Sequence, residues 1–210
     1  MIRSLFLLTF LLSLTLSAQI TSETIASSVL GKSRTIDLYV PEMKEGAVDP
    51  LPLIVVFEGQ ELFDLVVTNV KFFSKIGYMP KAIVVGIRQE EPYQMSRDFE
   101  IDKNSGQLTS RGFDFKQFVR SDVVKRLAIQ YPLSNLKVII GKNKGANFLN
   151  YFLLDGSNLF SSYIAITPDL PAQIIDPLLE KASSTSKQAS YYLFNSENLP
   201  ERQQNKITFL

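Results

Sequence analysis

Short apolar runs alternate with segments of helical period along this chain, and few folds accommodate that order. Residues 53–57 (LIVVF) and 82–87 (AIVVGI) are continuous and β-branched, as strands covered on both faces are. Residues 137–140 (KVII), 163–166 (YIAI) and 191–194 (YYLF) repeat the pattern. Residues 34–40 (RTIDLYV) alternate polar and apolar side chains and stop at Pro41, which predicts a half-buried strand. Between these runs lie helical spacings. Leu62, Val66, Val70 and Phe73 share one stripe, with Gly77 and Pro80 as its stop. Phe115, Val119, Val123 and Leu127 share another within residues 113–130, closed by Pro132. Residues 147–154 and 174–181 predict two more helices. Buried strands alternating with amphipathic helices specify an α/β three-layer sandwich with a mostly parallel sheet, covered on both faces. Residues 88–112 carry neither period and are expected as a long loop.

In such sheets, sites form where strands end and loops begin. The stretch KVIIGKNKGANF, residues 137–148, is the most informative of those ends. A strand must reverse sharply into a helix there, between Gly141 and Gly145. In G-x-S-x-G enzymes the central residue of this turn is a serine nucleophile. Here it is Asn143. Asparagine tolerates the positive φ that the turn demands, but an amide is a poor nucleophile. Composition sharpens the point. The 210 residues contain no histidine and no cysteine. That removes the usual general base near neutral pH and the commonest metal ligand, together with disulfides and thiolate sites. No cofactor or metal is expected.

Other constellations are weaker. Lys142 and Lys144 flank the turn and would hold an anion with the following helix start, although isolated lysines usually stay solvated. Asp102, Asn104 and Gly106 miss the spacing of a calcium loop and read as a turn. Phe72, Phe73, Phe113, Phe115 and Phe118 fall in or beside helical segments, so core packing is their expected role. The N-terminus, MIRSLFLLTFLLSLTLSAQ, has a positive start at Arg3, an apolar run and small residues at Ser17-Ala18. It reads as a cleavable export signal, residues 1–18, because the run is short for a span of ~20 residues. Residues 19–210 are then expected as one domain, periplasmic or extracellular, without a membrane span after cleavage. The full chain has 22 basic and 21 acidic residues, and setting Arg3 aside balances them. No basic excess remains to attract nucleic acid.

Taken in order, seven blocks resemble the esterase family of α/β-hydrolases that includes the esterase D and enterochelin esterase-like proteins. They are SSVLGKSRTIDLYVP, PLIVVFEGQELF, KAIVVGI, SRDFE, FDFKQFVRSDVVKRLAIQYP, GKNKGANF and FSSYIAITPDL. The resemblance spans residues 27–194 and implies an α/β-hydrolase-like fold. The family's GHSxGG is GKNKGA here, its LDG is FEG at residues 57–59, and its SPS is Thr167-Pro168-Asp169. The resemblance places the acid of the triad after YYLF, at Glu197 or Glu201, and the histidine beyond one further strand. Leu210 falls about where that strand would be, so the fold is expected to be truncated at the C-terminus. No triad is intact. An oxyanion or ligand site would draw on Gly59, Gln60 and Lys144, with Lys142 and with Arg97 of the RD pair. A donor pair without a nucleophile binds carbonyls or carboxylates. The expected function is therefore that of an exported, catalytically inactive relative that binds a small ester or carboxylate or acts as a scaffold. An active carboxylic-ester hydrolase with a non-standard site is the alternative, and a platform for a protein partner is a second.

Overall fold

The structure, a computed structural model, describes residues 19–43, 49–89, 92–184 and 189–194. Its centre is built from the two most apolar runs. β3 (Leu51–Val56) and β4 (Ile83–Ile87) pair in parallel, and every residue of both is buried. β1 (Gln19–Ser27) and β2 (Lys32–Val40) form an antiparallel hairpin, and β2 joins it antiparallel to β4. On the other side β5 (Leu133–Lys142), β6 (Ser162–Ile166) and β7 (Ser190–Phe194) continue the sheet in parallel. Among the described residues the order is β1-β2-β4-β3-β5-β6-β7, a seven-stranded mixed sheet that is mostly parallel.

Each face takes its own helices. α1 (Gly59–Lys75) lays Leu62, Phe63, Val67 and Val70 against Ile54, Val56, Val84 and Ile140. Against the opposite face pack α3 (Ser110–Phe118), a π-helical stretch over Val119–Val124, and α4 (Lys125–Gln130). They are joined there by α5 (Lys144–Phe148) and α6 (Asn150–Leu154). Phenylalanines dominate this second core. Phe57, directly after β3, meets Phe99 at 5.2 Å and Phe148 at 5.7 Å between ring centroids. Phe115 meets Phe148 at 5.6 Å. These tilted and edge-on contacts suit the ring quadrupoles.

Several expectations change. β1 carries no apolar run; backbone pairing to β2 holds it, with Ile25 its one buried hydrophobic side chain. Residues 88–112 are not one loop. They contain α2 (Pro92–Asp98), an isolated bridge between Ile101 and Leu108, and the start of α3. A buried ion pair from Arg34 of β2 to Asp98 anchors α2, a contact without local signature. The helix expected over residues 147–154 starts earlier and breaks at Leu149. The last predicted helix runs over α7 (Ala172–Ser184). Phe115 and Phe118 are fully buried, but Phe72, Phe73 and Phe113 are exposed, because each lies off the buried face of its helix. Nor is the sheet covered on both faces throughout. β6 and β7 alternate, and Tyr192 and Phe194 remain 52% and 55% exposed. Among the described residues, no helix is long and apolar enough to cross a membrane.

Candidate functional site

The carboxyl ends of β3, β5 and β6 meet side by side, and the chain is strained at each. Glu58, Asn143 and Thr167 have φ of 54°, 48° and 49°. Positive φ is uncommon for any side chain and an outlier for a β-branched one such as Thr167. Such residues persist where the surroundings over-determine them, and they cluster at functional sites.

Asn143 caps α5 at φ 48°, ψ −111°, the positive φ expected of its place between two glycines. The glycines are required by contact. A Cβ on Gly141 would lie 2.5 Å from the carbonyl carbon of Gly145, so strand and helix touch backbone to backbone. A Cβ on Gly145 would press on the Glu58 carboxyl at 3.3 Å. The elbow is also tied laterally. Asn143 N–H donates to Ile166 O at 2.9 Å, and Thr167 N–H donates to Phe194 O at 2.6 Å. Thr167 Oγ1 donates to Asn143 Oδ1 at 2.7 Å.

Glu58 supports the elbow from below. It is 2% exposed. Its Oε2 accepts from Lys142 N–H at 3.1 Å, and its own N–H donates to Gln89 Oε1 at 2.9 Å. Burial pushes its carboxyl up to about 7, opposed by the Lys142 N–H and reinforced by the Glu61 charge. Burial raises the Asp98 carboxyl to about 6 despite Arg34 beside it.

A cleft of about 730 Å³ opens above Asn143. Asn143, Lys144 and Asn147 form its floor at the elbow. One wall comes from the end of α2 and the segment leading on to α3, with Ser96, Phe99, Glu100, Ile101 and Lys103. The other comes from the loop after β6 and the start of α7, with Thr167, Asp169, Leu170, Pro171 and Gln173. The volume suits a small organic ligand. Lys144 Nζ reaches across to donate to Ser96 Oγ at 3.1 Å.

The remaining residues expected at the site are dispersed. Gly59 opens α1, packed so closely that a Cβ would lie 2.8 Å from the Gly86 backbone. Gln60 turns its Oε1 to Gln89 N–H at 3.1 Å and is not part of the described lining of the cleft. The backbone N–H groups of Gln60 and Lys144 both belong to first helical turns, which leave amides without intrahelical acceptors. Lys142 Nζ pairs with Glu61 Oε2 at 3.1 Å, outside the cleft. Arg97 stacks over the Tyr93 ring at 5.4 Å. Asp102 closes a local turn, accepting from Asn104 N–H and Ser105 N–H. Glu197 and Glu201 lie outside the described residues. Lys103, Asn147 and Gln173 carry no signal in the sequence, and Ser96 only its place at the head of the SRDFE block. Nothing local distinguishes them, since they meet only through the sheet order. Among the described residues, no group of three acidic side chains is placed to hold a metal.

No family model and no curated protein matches the chain. Solved structures do. An uncharacterised protein from Capnocytophaga ochracea is similar at 25% identity and a TM-score of 0.76, over 83% of this chain and 48% of that one. This chain thus spans about half the length of that protein. An IroE-like serine hydrolase from Shewanella oneidensis is similar at 18% identity, TM-score 0.68, over 91% of this chain and 78% of that one. The enterobactin esterase of Shigella flexneri is similar at 15% identity, TM-score 0.67, over 91% of this chain and 49% of that one. The mixed, mostly parallel sheet, the strained elbow after β5 and these likenesses agree: the chain has the α/β-hydrolase fold, the fold of solved esterases.

Proposed function

We propose that this chain binds a small ester or carboxylate in the cleft above Asn143 and does not hydrolyse it. The observation that carries the reading is Asn143 itself, held at the elbow and lining the cleft. An amide there offers hydrogen bonds and no nucleophile. The 210 residues contain no histidine to activate a neighbouring hydroxyl. Loss of one triad member typically costs ~10⁴ to 10⁶ in turnover. The similar Shigella esterase was solved in the presence of a small organic molecule, 2,3-dihydroxy-N-benzoyl-serine, which supports small-ligand binding by a protein of this fold.

The test is labelling by a fluorophosphonate probe, with p-nitrophenyl ester hydrolysis alongside. No serine is expected to be labelled and no turnover is expected above the uncatalysed rate. One observation favours a second reading, an active hydrolase with a non-standard site: the Ser96 hydroxyl meets the Lys144 ammonium inside the cleft. Stoichiometric labelling of Ser96 would establish that reading and end the first. The apolar N-terminus and Ser17-Ala18 support export. A periplasmic or secreted form whose N-terminus follows Ala18 is the expected product; a form retaining Met1 in the membrane fraction would refute export by cleavage.

A further inference from the structure

The cleft is chemically lopsided. At the elbow, the bond from Thr167 Oγ1 commits the Asn143 amide oxygen. The Nδ2 hydrogens therefore face away from Thr167 and have no partner among the described residues. One residue on, Lys144 gives a single hydrogen to Ser96 Oγ and keeps others in hand. Ser96, having accepted, still has its own proton to donate. Three donors, one of them charged, thus border the same part of the cleft. Phe99, Ile101 and Leu170 line the same cleft and present carbon.

The lining also carries two carboxylates, each with a partner of its own. Glu100 Oε2 is held by Thr109 Oγ1 at 2.8 Å, on the cap of α3. Asp169 lies on the loop after β6 and is engaged in an interaction of its own. A second ammonium, Lys103, is also on the lining.

The geometry points to a free carboxylate as the ligand's head group. Asn143 Nδ2, Lys144 Nζ and Ser96 Oγ hold the carboxylate of a small organic acid, and its alkyl or aryl tail lies against Phe99, Ile101 and Leu170. This rests on the ligand-binding reading and narrows it from esters or carboxylates to the acid. A carboxylate offers two anionic oxygens with about four acceptor sites, matching three donors. Charge-assisted bonds are about twice as strong as neutral ones. Esterification removes the charge and puts carbon on one oxygen, which leaves a donor unpaired at a cost.

The experiment titrates benzoate and methyl benzoate against the purified full chain by ligand-observed NMR, with butyrate and methyl butyrate as a pair free of the ring's bulk. The acid of at least one pair is expected to bind at least about tenfold more tightly than its ester. Lys144→Met should weaken acid binding about tenfold without changing the melting temperature, since the side chain is exposed. Asn143→Gly should weaken it comparably, because glycine accepts the elbow backbone while removing the amide. Esters that bind as well as the acids would overturn carboxylate recognition while leaving the ligand-binding reading intact. An acid affinity unchanged in both variants would also overturn it. Failure of all four probes to bind at concentrations on the order of 10 mM, where even weak sites fill, would sink both.

Discussion

Three of the four positive-φ non-glycine positions among the described residues gather at the carboxyl ends of β3, β5 and β6, and two of them permit direct tests. Positive φ costs of order 1–3 kcal/mol at each of Glu58, Asn143 and Thr167. Asparagine tolerates positive φ better than most side chains do. Asn143→Ser alone should therefore lose a little stability and gain no turnover, because a serine hydroxyl needs a base within reach. Hydrolysis of p-nitrophenyl acetate and butyrate should stay within roughly 100-fold of the parent chain, under ~2.7 kcal/mol of barrier lowering. A larger gain would show that a base is already in place. Glu58 makes a different prediction. Its carboxyl ionises near 4.5 in the unfolded chain and at about 7 in the folded one, with Glu61 and Lys142 the charges that face it. Between those values the folded state binds more protons, so stability falls as pH rises and levels off above about 7. The loss is on the order of 3 kcal/mol, from 1.36 kcal/mol per unit. Glu58→Gln should reduce the slope, read as urea midpoints from pH 5 to pH 8, and leave the part below about pH 6 that the raised Asp98 carboxyl contributes; an undiminished slope would assign the effect to other groups.

Among the elements, α2 depends most on a single distant contact. It places Ser96 on the cleft, and Phe99 directly after it, yet it has only seven residues. Helices this short are not stable alone. What fixes it is Arg34, whose guanidinium meets Asp98 and also donates to Gln94 Oε1 at 2.7 Å. Both members of the ion pair are almost wholly buried. Removing one partner strands the other charge, so Asp98→Ala should destabilise by about 3–5 kcal/mol. The double replacement Arg34→Met with Asp98→Leu should recover part of that loss, since apolar pairs often replace buried ion pairs without penalty. Denaturant unfolding of the three variants checks this; equal destabilisation by the single and double changes would show that packing, not stranded charge, holds α2.

Over the whole molecule, burial grades across the sheet. β3 and β4 are covered on both faces, while β7 pairs with β6 alone among the described residues and leaves Tyr192 and Phe194 half exposed. Local opening follows buried contact. Amide hydrogen exchange should therefore be slowest in β3 and β4 and fastest in β7. Equal protection across the sheet would mean that the β7 edge is covered. The aromatic core ties this gradient to the cleft, because Phe99 lines the cleft and packs on Phe148 at 5.2 Å. Phe148→Ala should cost about 3–5 kcal/mol, measured by the same unfolding experiment.

The sequence by itself determined the class of fold and the identity of the elbow. Both are local signals. A continuous β-branched run declares a buried strand, and two glycines around one asparagine declare a tight strand-to-helix turn, with no reference to the rest of the chain. It also showed that these 210 residues carry no histidine. Only the tertiary structure decided which side chains face that elbow. β1 was illegible because backbone pairing, not apolar period, holds it. α2 was illegible because Arg34, 64 residues away from Asp98, anchors it. Ser96 reaches Lys144 across 48 residues, and Thr167 reaches Asn143 across 24. Such contacts are set by strand order and register, and a one-dimensional pattern carries neither.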